Sequence, residues 1–364
     1  MIFNLMNGMM KTPILDSAYP ADVSILNGES ATFQVVITED GMPAAYTYQW
    51  YVDEEAVSGE TGASFTYTAP EDSTNYTKSI SCAVTNSAGT VHSRGAVLSV
   101  KSHIPEFTYD GSYEVVNDSD GASSETDVNW KIRLLTSGKL KFTDLRGAKD
   151  GIDVFLVGGG GGGHYGYGDS NTGGGGGGGG YTKTVKNVAV DTNKEYSIVI
   201  GAGGGDTADG GKTSAFGASA NGGETGPDSY SGGDGGSGGG SGGTGGSSGV
   251  VGNTGGKGGS NGGDGASGGQ TPGSGQGTTT REFGESGKTV YAGGGGGGGG
   301  AAWDVSYQAG GGSGGSGGGG SGGSFDGSSA TSGKTNKGGG GGGAARYGSG
   351  ASGGSGIVII RNKR

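Results

Sequence analysis

The chain has 364 residues, 97 of them glycine, and a formal net charge of −11. That length allows two or three domains. The acid excess sits in residues 1–157, with ten Lys and Arg against twenty-one Asp and Glu, while residues 158–364 carry thirteen of each. No basic cluster therefore offers the footprint of a nucleic-acid binder, and no run of about twenty apolar residues is present to insert in a membrane.

Residues 1–11 lack the basic region and the apolar run of a signal peptide. They read as a docking segment for partner proteins, in a chain made in a cytoplasm. The single cysteine, Cys82, fits a reducing compartment and excludes an intramolecular disulfide. Residues 12–101 then show short alternating strands at 30–37, 46–52, 64–67 and 79–84, separated by turn residues, the pattern of a β-sandwich. Gly28-Glu29-Ser30-Ala31-Thr32-Phe33-Gln34-Val35, Tyr48-Gln49-Trp50-Tyr51 and Ser81-Cys82-Ala83-Val84-Thr85-Asn86-Ser87-Ala88-Gly89 carry a resemblance to bacterial immunoglobulin-like domains. The resemblance implies a core built on Trp50. Val35 stands where such domains often place a first cysteine, so Cys82 is expected to act as a small core hydrophobe.

Residues 102–157 form a β-rich bridge. Residues 107–109 and 113–116 are expected to pair through Asp110-Gly111. Residues 130–135 and 139–143 are expected to form a hairpin about Thr136-Ser137-Gly138. With the apolar run from Ile152 to Val157 and the strands after Tyr181, they make a small β-sandwich on which the glycine-rich segments are mounted.

Eighty-five of the ninety-seven glycines lie after Val157, in pure runs at 158–163, 173–180, 293–300 and 338–343. A disordered tether is one reading of such a composition. Two features oppose it. Glycine runs start directly from the apolar strands 152–157 and 196–200, and the chain returns at 356–360 in a third such strand. Elsewhere the glycines recur with a period of three, as in Ser231-Gly-Gly-Asp234-Gly-Gly-Ser237 and Ser313-Gly-Gly-Ser316. Three residues per turn is the period of the extended left-handed helix. A pure run presents bare backbone on all three edges and can be surrounded by others through N–H···O=C and Cα–H···O contacts. A Gly-Gly-X run has one edge with side chains. The expectation is a bundle of polyglycine helices with pure runs inside and Gly-Gly-X runs outside, their Ser, Thr, Asp and Lys facing water. The fold class is mostly β with essentially no α-helix, and residues 158–364 form the glycine-rich domain with its closing strand.

Asn129-Trp130-Lys131-Ile132, Leu135-Thr136-Ser137-Gly138, the 152–157 strand with its glycines, Gly211-Lys212-Thr213-Ser214-Ala215-Phe216-Gly217 and Gly356-Ile357-Val358-Ile359-Ile360-Arg361 resemble the glycine-rich domain of phage and prophage tail proteins. The resemblance covers residues 104–364. It implies a tail fibre or baseplate component, located in the virion, in which loops at the ends of the glycine bundle touch a receptor on the bacterial surface, a glycan or an outer-surface protein. It also implies contact with other virion proteins through the N-terminal region. A trimer is common among tail fibres, but no heptad pattern demands one. The alternative within this class is a purely structural collar, head or baseplate spacer.

Binding residues sit on loops held by a rigid body, and aromatic rings give contact area at low entropy cost. The candidate receptor-binding residues are His164, Tyr165, Tyr167, Tyr230, Arg281, Trp303, Asp304, Tyr307, Phe325 and Tyr347, with Trp50, Cys82 and Val35 as structural core. Phe216 and Phe283 read as caps on the glycine bundle. Gly211-Lys212-Thr213 and Gly287-Lys288-Thr289 are not phosphate loops, because Asp206 and Glu282 stand where that motif needs glycine. His92, His103 and His164 have no ligand spacing, and no nucleophile triad or carboxylate pair stands out. No metal, cofactor or catalysis is expected.

Overall fold

The computed structural model describes residues 10–71, 75–123, 127–166, 172–243, 263–265, 280–301, 308 and 310–364. Among them the backbone forms twenty β-strands, two single-turn 3-10 helices and no α-helix. Two compact units result. One holds the chain up to Pro105 with Ser123–Asn129, the other Glu106–Ala122 with Trp130–Arg364.

The first unit contains β1 (Ile14–Leu15), β2 (Val23–Leu26), β3 (Ser30–Gln34), β4 (Ile37–Glu39), β5 (Thr47–Val52), β6 (Glu55–Ala56), β7 (Ser64–Thr68), β8 (Tyr76–Asn86), β9 (Gly89–His92) and β10 (Ala96–Lys101). The main sheet runs β2-β10-β8-β5-β6 with β9 on β8, while β3 pairs β7 and β1 pairs β4. Strand β2 joins β10 in parallel. Alternation in β3 puts Ala31 and Phe33 inside and Ser30, Thr32 and Gln34 outside. Trp50 is fully buried, stacks on Phe65 with centroids 5.7 Å apart, and donates its indole N–H to the Gly62 carbonyl at 2.9 Å. Cys82 faces Trp50 across the β5–β8 pair and is equally buried. Val35 packs partly buried against the same cluster.

The expected single strand 30–37 is two strands. Val35 donates to Ala63 and the Val36 carbonyl accepts from Asp16, so the chain changes partners there and passes from the β7 pairing to the β1 pairing. Burial pushes the Cys82 thiol up to about 11, which leaves almost no thiolate at neutral pH. A thiol reagent at pH 8 is therefore expected to leave Cys82 unmodified in the folded chain and to react once denaturant is added. Rapid labelling of the native chain would contradict its place in the core.

The second unit begins with β11 (Glu106–Tyr109), β12 (Tyr113–Asn117), β13 (Trp130–Leu134), β14 (Gly138–Asp144) and β15 (Ile152–Val157). It continues with β16 (Thr182–Val188), β17 (Tyr196–Ile198), β18 (Thr213–Ala215), β19 (Ala218–Ala220) and β20 (Ile357–Asn362). A five-stranded sheet runs β12-β13-β20-β15-β16, a three-stranded one β11-β14-β17, and β18 pairs β19. The last strand thus lies at the centre of the larger sheet, between β13 and β15.

Neither expected hairpin forms. Strand β11 pairs β14 and β12 pairs β13, so both connections carry the chain from one sheet to the other. The two crossovers brace each other: Leu135 donates to the Ser112 carbonyl at 2.8 Å and Ser112 to the Thr136 hydroxyl at 2.8 Å. The gain is apolar contact across the sheets. Phe107 of β11 meets Tyr113 of β12 edge-on at 5.1 Å as well as Phe142 of its own sheet, a contact that a hairpin within one sheet would not supply.

Three charged residues lie side by side on the larger sheet, Lys131 opposite Arg361 and Arg361 opposite Asp153. Residues 280–291 cover them. Glu282 accepts from Lys131 at 2.9 Å, and Arg361 reaches Asp153 at 3.2 Å and Glu285 at 2.6 Å. Lys131 also pairs with Asp120. Phe283 and Tyr291 pack on Phe155 at 5.7 and 5.6 Å, and the Arg361 guanidinium lies 3.9 Å over the Phe283 ring. Lys131, Asp153, Glu282 and Arg361 are all at most 1% exposed. This clasp holds the chain where Ala292 enters the third pure glycine run.

Residues 158–164 show how the glycines are arranged. Their N–H groups donate in rotation to three segments at 2.8–2.9 Å: residues 158, 161 and 164 to Tyr181, Gly178 and Gly175, 159 and 162 to Gly211 and Ala208, 160 and 163 to Gly354 and Ala351. These three neighbours run antiparallel. The carbonyls of Gly159, Gly160 and Gly161 accept from Gly223, Gly204 and Gly341, on three further segments that run parallel. Every pure run is buried along its described length. A Cβ placed on any of residues 158–163 would lie within 3.0 Å of a neighbouring carbonyl oxygen, so only glycine lets six segments approach this closely.

The Gly-Gly-X runs divide. Ser313 and Ser316 are exposed, as expected, but Ser237 and Ser241 are fully buried. The Ser237 hydroxyl bonds Thr280 at 3.0 Å, and Gly238 donates to Gly263 at 3.1 Å. A further layer therefore covers that edge, and serine is tolerated inside because its hydroxyl finds a partner.

Candidate functional site

Gly158 comes directly after β15 and Gly356 leads directly into β20, so the glycine segments rise from the larger sheet. Segments 158–166, 202–205, 221–226 and 339–345 run in the same direction, away from it. The loops at their ends gather on the far side. The nine residues from 158 to 166, eight steps, would span roughly 25 Å at the rise of about 3.1 Å of an extended three-residue-per-turn helix.

Five candidates meet there. Gly166 pairs with Arg346 in parallel and donates to Gly348 at 3.2 Å, which brings the segment carrying Tyr165 against the one carrying Arg346 and Tyr347. His164 donates to Gly175, Gly175 to Ser229, and Gly242 to Tyr230, bringing in the Tyr230 loop. Gly323 donates to Gly343 just before Phe325. Tyr165 is 38% exposed and Tyr347 is 70% exposed. The His164 and Tyr165 rings are 4.9 Å apart. Burial lowers the His164 pKa, against the opposing fields of Asp206 and Asp228. Asp228 accepts from the backbone N–H groups of Tyr230 at 2.9 Å and Ser231 at 2.7 Å, which fixes that turn.

In the sequence Arg346 stands out only as the neighbour of Tyr347, yet it centres this end. Its guanidinium lies 4.6 Å over the Tyr347 ring and 5.9 Å from Phe325, and it donates to the Tyr347 hydroxyl at 3.2 Å. A depression of about 180 Å³ opens between residues 324–330 and 344–349. Tyr347 takes a left-handed backbone, φ 57°, which a bulky residue adopts only under constraint.

Arg281 belongs to the opposite end. It sits in the clasp, donates to the Lys288 carbonyl at 3.0 Å and pairs its backbone with Val290. Its neighbours in sequence give no sign by themselves that residues 280–291 fold back onto the sheet. Phe283 is likewise in the clasp, and Phe216 packs on Tyr196 at 4.7 Å near the sheet. Tyr167, Trp303, Asp304 and Tyr307 lie outside the described residues; Ala301 and Gln308, on either side of the last three, pair with each other.

A search of curated proteins finds no match. A family model described as a glycine-rich domain matches residues 136–363. That span begins after β13, takes in every pure glycine run and closes on β20. The chain therefore belongs to the glycine-rich domain family.

Proposed function

We propose that the chain is a non-catalytic adhesin of a phage or prophage tail, which recognises the bacterial surface through the far end of its glycine body. The observation that carries this reading is the convergence of Tyr165, Tyr230, Phe325, Arg346 and Tyr347 at one end of a body whose buried runs are almost bare backbone. Such a body can hold loops but cannot itself recognise a ligand. The three-residue rotation of its hydrogen bonds supports the polyglycine helix as its unit. The Trp50–Cys82 core and the parallel β2–β10 edge support an immunoglobulin-like first unit that docks to other tail proteins. The resemblance in the sequence to tail proteins supplies the setting.

The test is saturable binding of the purified chain to a panel of bacteria, with competition against particle adsorption. Tyr165→Ala, Tyr230→Ala and Tyr347→Ala combined are expected to weaken binding at least tenfold with an unchanged melting curve, because the three residues lie at the ends of the glycine segments and none is in the buried core. Undiminished binding by that variant would move the recognition surface elsewhere. A folded chain that binds no bacterium and does not block adsorption would favour the structural spacer.

A further inference from the structure

We infer that the depression between residues 324–330 and 344–349 is a subsite for an anionic group on a saccharide, with Arg346 as its counter-ion and Phe325 as its stacking surface. The inference rests on the proposed adhesin role and adds the chemistry of its ligand.

Charge pairing in the second unit leads to this place. Lys131, Arg133, Arg146, Lys288, Arg361 and Arg364 all meet carboxylates. Arg346 meets none among the described residues. Its one side-chain hydrogen bond goes to the neutral Tyr347 hydroxyl, and its buried Nε has no partner there. A guanidinium presents its donors in a planar fork that matches a carboxylate or phosphate, and a partly buried one left without an anion holds unused binding capacity. The nearest acid in sequence, Asp326, is turned toward the Ser328 backbone N–H at 3.2 Å.

The rest of the wall suits a sugar. The Phe325 ring offers an apolar face for the C–H surface of a pyranose, while Ser324, Ser328 and Ser349 add hydroxyls around the same opening. A volume of about 180 Å³ takes one saccharide unit rather than a peptide segment. The wider groove of about 390 Å³ beside Tyr196 and Phe216 has no guanidinium in its wall; its cation is the exposed ammonium of Lys194, next to the carboxylate of Glu195.

Uronic acids and sugar phosphates share this chemistry, and the experiment separates them. Calorimetric titration of the full chain would use a galacturonate oligosaccharide, a glucose phosphate, and neutral galactose and glucose, alongside cell binding. The expected result is at least tenfold preference for one acidic probe over its neutral counterpart. That preference should be lost in Arg346→Met, partly restored in Arg346→Lys, and accompanied by weaker cell binding. Cell binding that persists with no acidic preference and no effect of Arg346→Met would overturn the subsite and leave the adhesin reading standing. Acidic binding lost in Arg346→Met without any cell binding would keep the subsite and remove the adhesin role. Acidic binding unchanged in a folded Arg346→Met chain would place the anion elsewhere and overturn the subsite.

Discussion

Gly161→Ala is expected to destabilise the second unit by about 3 kcal/mol or more, whereas Gly205→Ala is expected to be nearly neutral. The two positions differ in what a methyl group would meet. At Gly161 it would lie within 3.0 Å of the Glu224 carbonyl oxygen and carbon; at Gly205 nothing lies within 4 Å. Overpacking in an ordinary core is relieved by side-chain rotation. Here the obstructing atoms are backbone, held by hydrogen bonds such as Gly161 to Gly178 at 2.9 Å and Gly341 to Gly161 at 2.9 Å. Relief would require separating whole segments and breaking several such bonds. Chemical denaturation of the two variants checks the contrast. Equal stability would mean that the body is loosely packed and that glycine is needed for some reason other than close approach.

The same geometry explains what the sequence disclosed. A run of bare glycine leaving an apolar strand implies backbone packed on backbone, and the period of three in 231–237 implies the rotation seen in the hydrogen bonds of 158–164. The apolar runs 152–157 and 357–360 are legible because a strand buried on both faces needs no alternation. The sheet pairings are less so. Residues 107–116 and 130–143 look like hairpins because turn residues occupy the right places, and turn chemistry does not reveal whether the partner strand lies in the same sheet or the opposite one. Pure and interrupted runs are distinguishable, but the burial of Ser237 and Ser241 is not, since it depends on a layer supplied by residues distant in the chain. At the far end, the aromatic loops are visible as such. The isolation of Arg346 is not, because it is defined by which carboxylates other cations reach. Arg281, by contrast, sits in the clasp, away from the other aromatic loops, because residues 280–291 fold back. The strands beneath it hold a signal: Asp153 interrupts the apolar run of β15, Arg361 follows the apolar run of β20 and Lys131 stands between Trp130 and Ile132, which is costly unless opposite charges meet them inside.

Removing one member of that buried network has the second large expected effect. Arg361→Met leaves Asp153, which is 0% exposed, facing an apolar side chain, and should cost about 3–5 kcal/mol. Lys131→Met does the same to Glu282. The double variant Lys131→Met with Glu282→Gln is expected to recover much of the loss, because a buried charge pair replaced on both sides is far less damaging than one left half-made. The carboxylates around the network predict an acid response of matching sign. Although burial opposes it, hydrogen bonds from Lys288 and Arg364 hold Asp118 at about 2. Asp120 is also lowered against the penalty of burial, by Lys131 and Thr289, and Glu285 is lowered by its hydrogen bond to Arg361. Groups whose folded pKa lies below the unfolded value stabilise the chain above about pH 4, and that contribution falls away as pH drops toward about 2. The unit should therefore lose stability through this window, and Arg361→Met should flatten the response by removing the partner of Glu285. Denaturation midpoints for the single and double variants between about pH 2 and 7 measure both effects. If the double variant is as unstable as the sum of its parts, the clasp holds the glycine body through packing of Phe283 and Tyr291 on Phe155 and not through its charges.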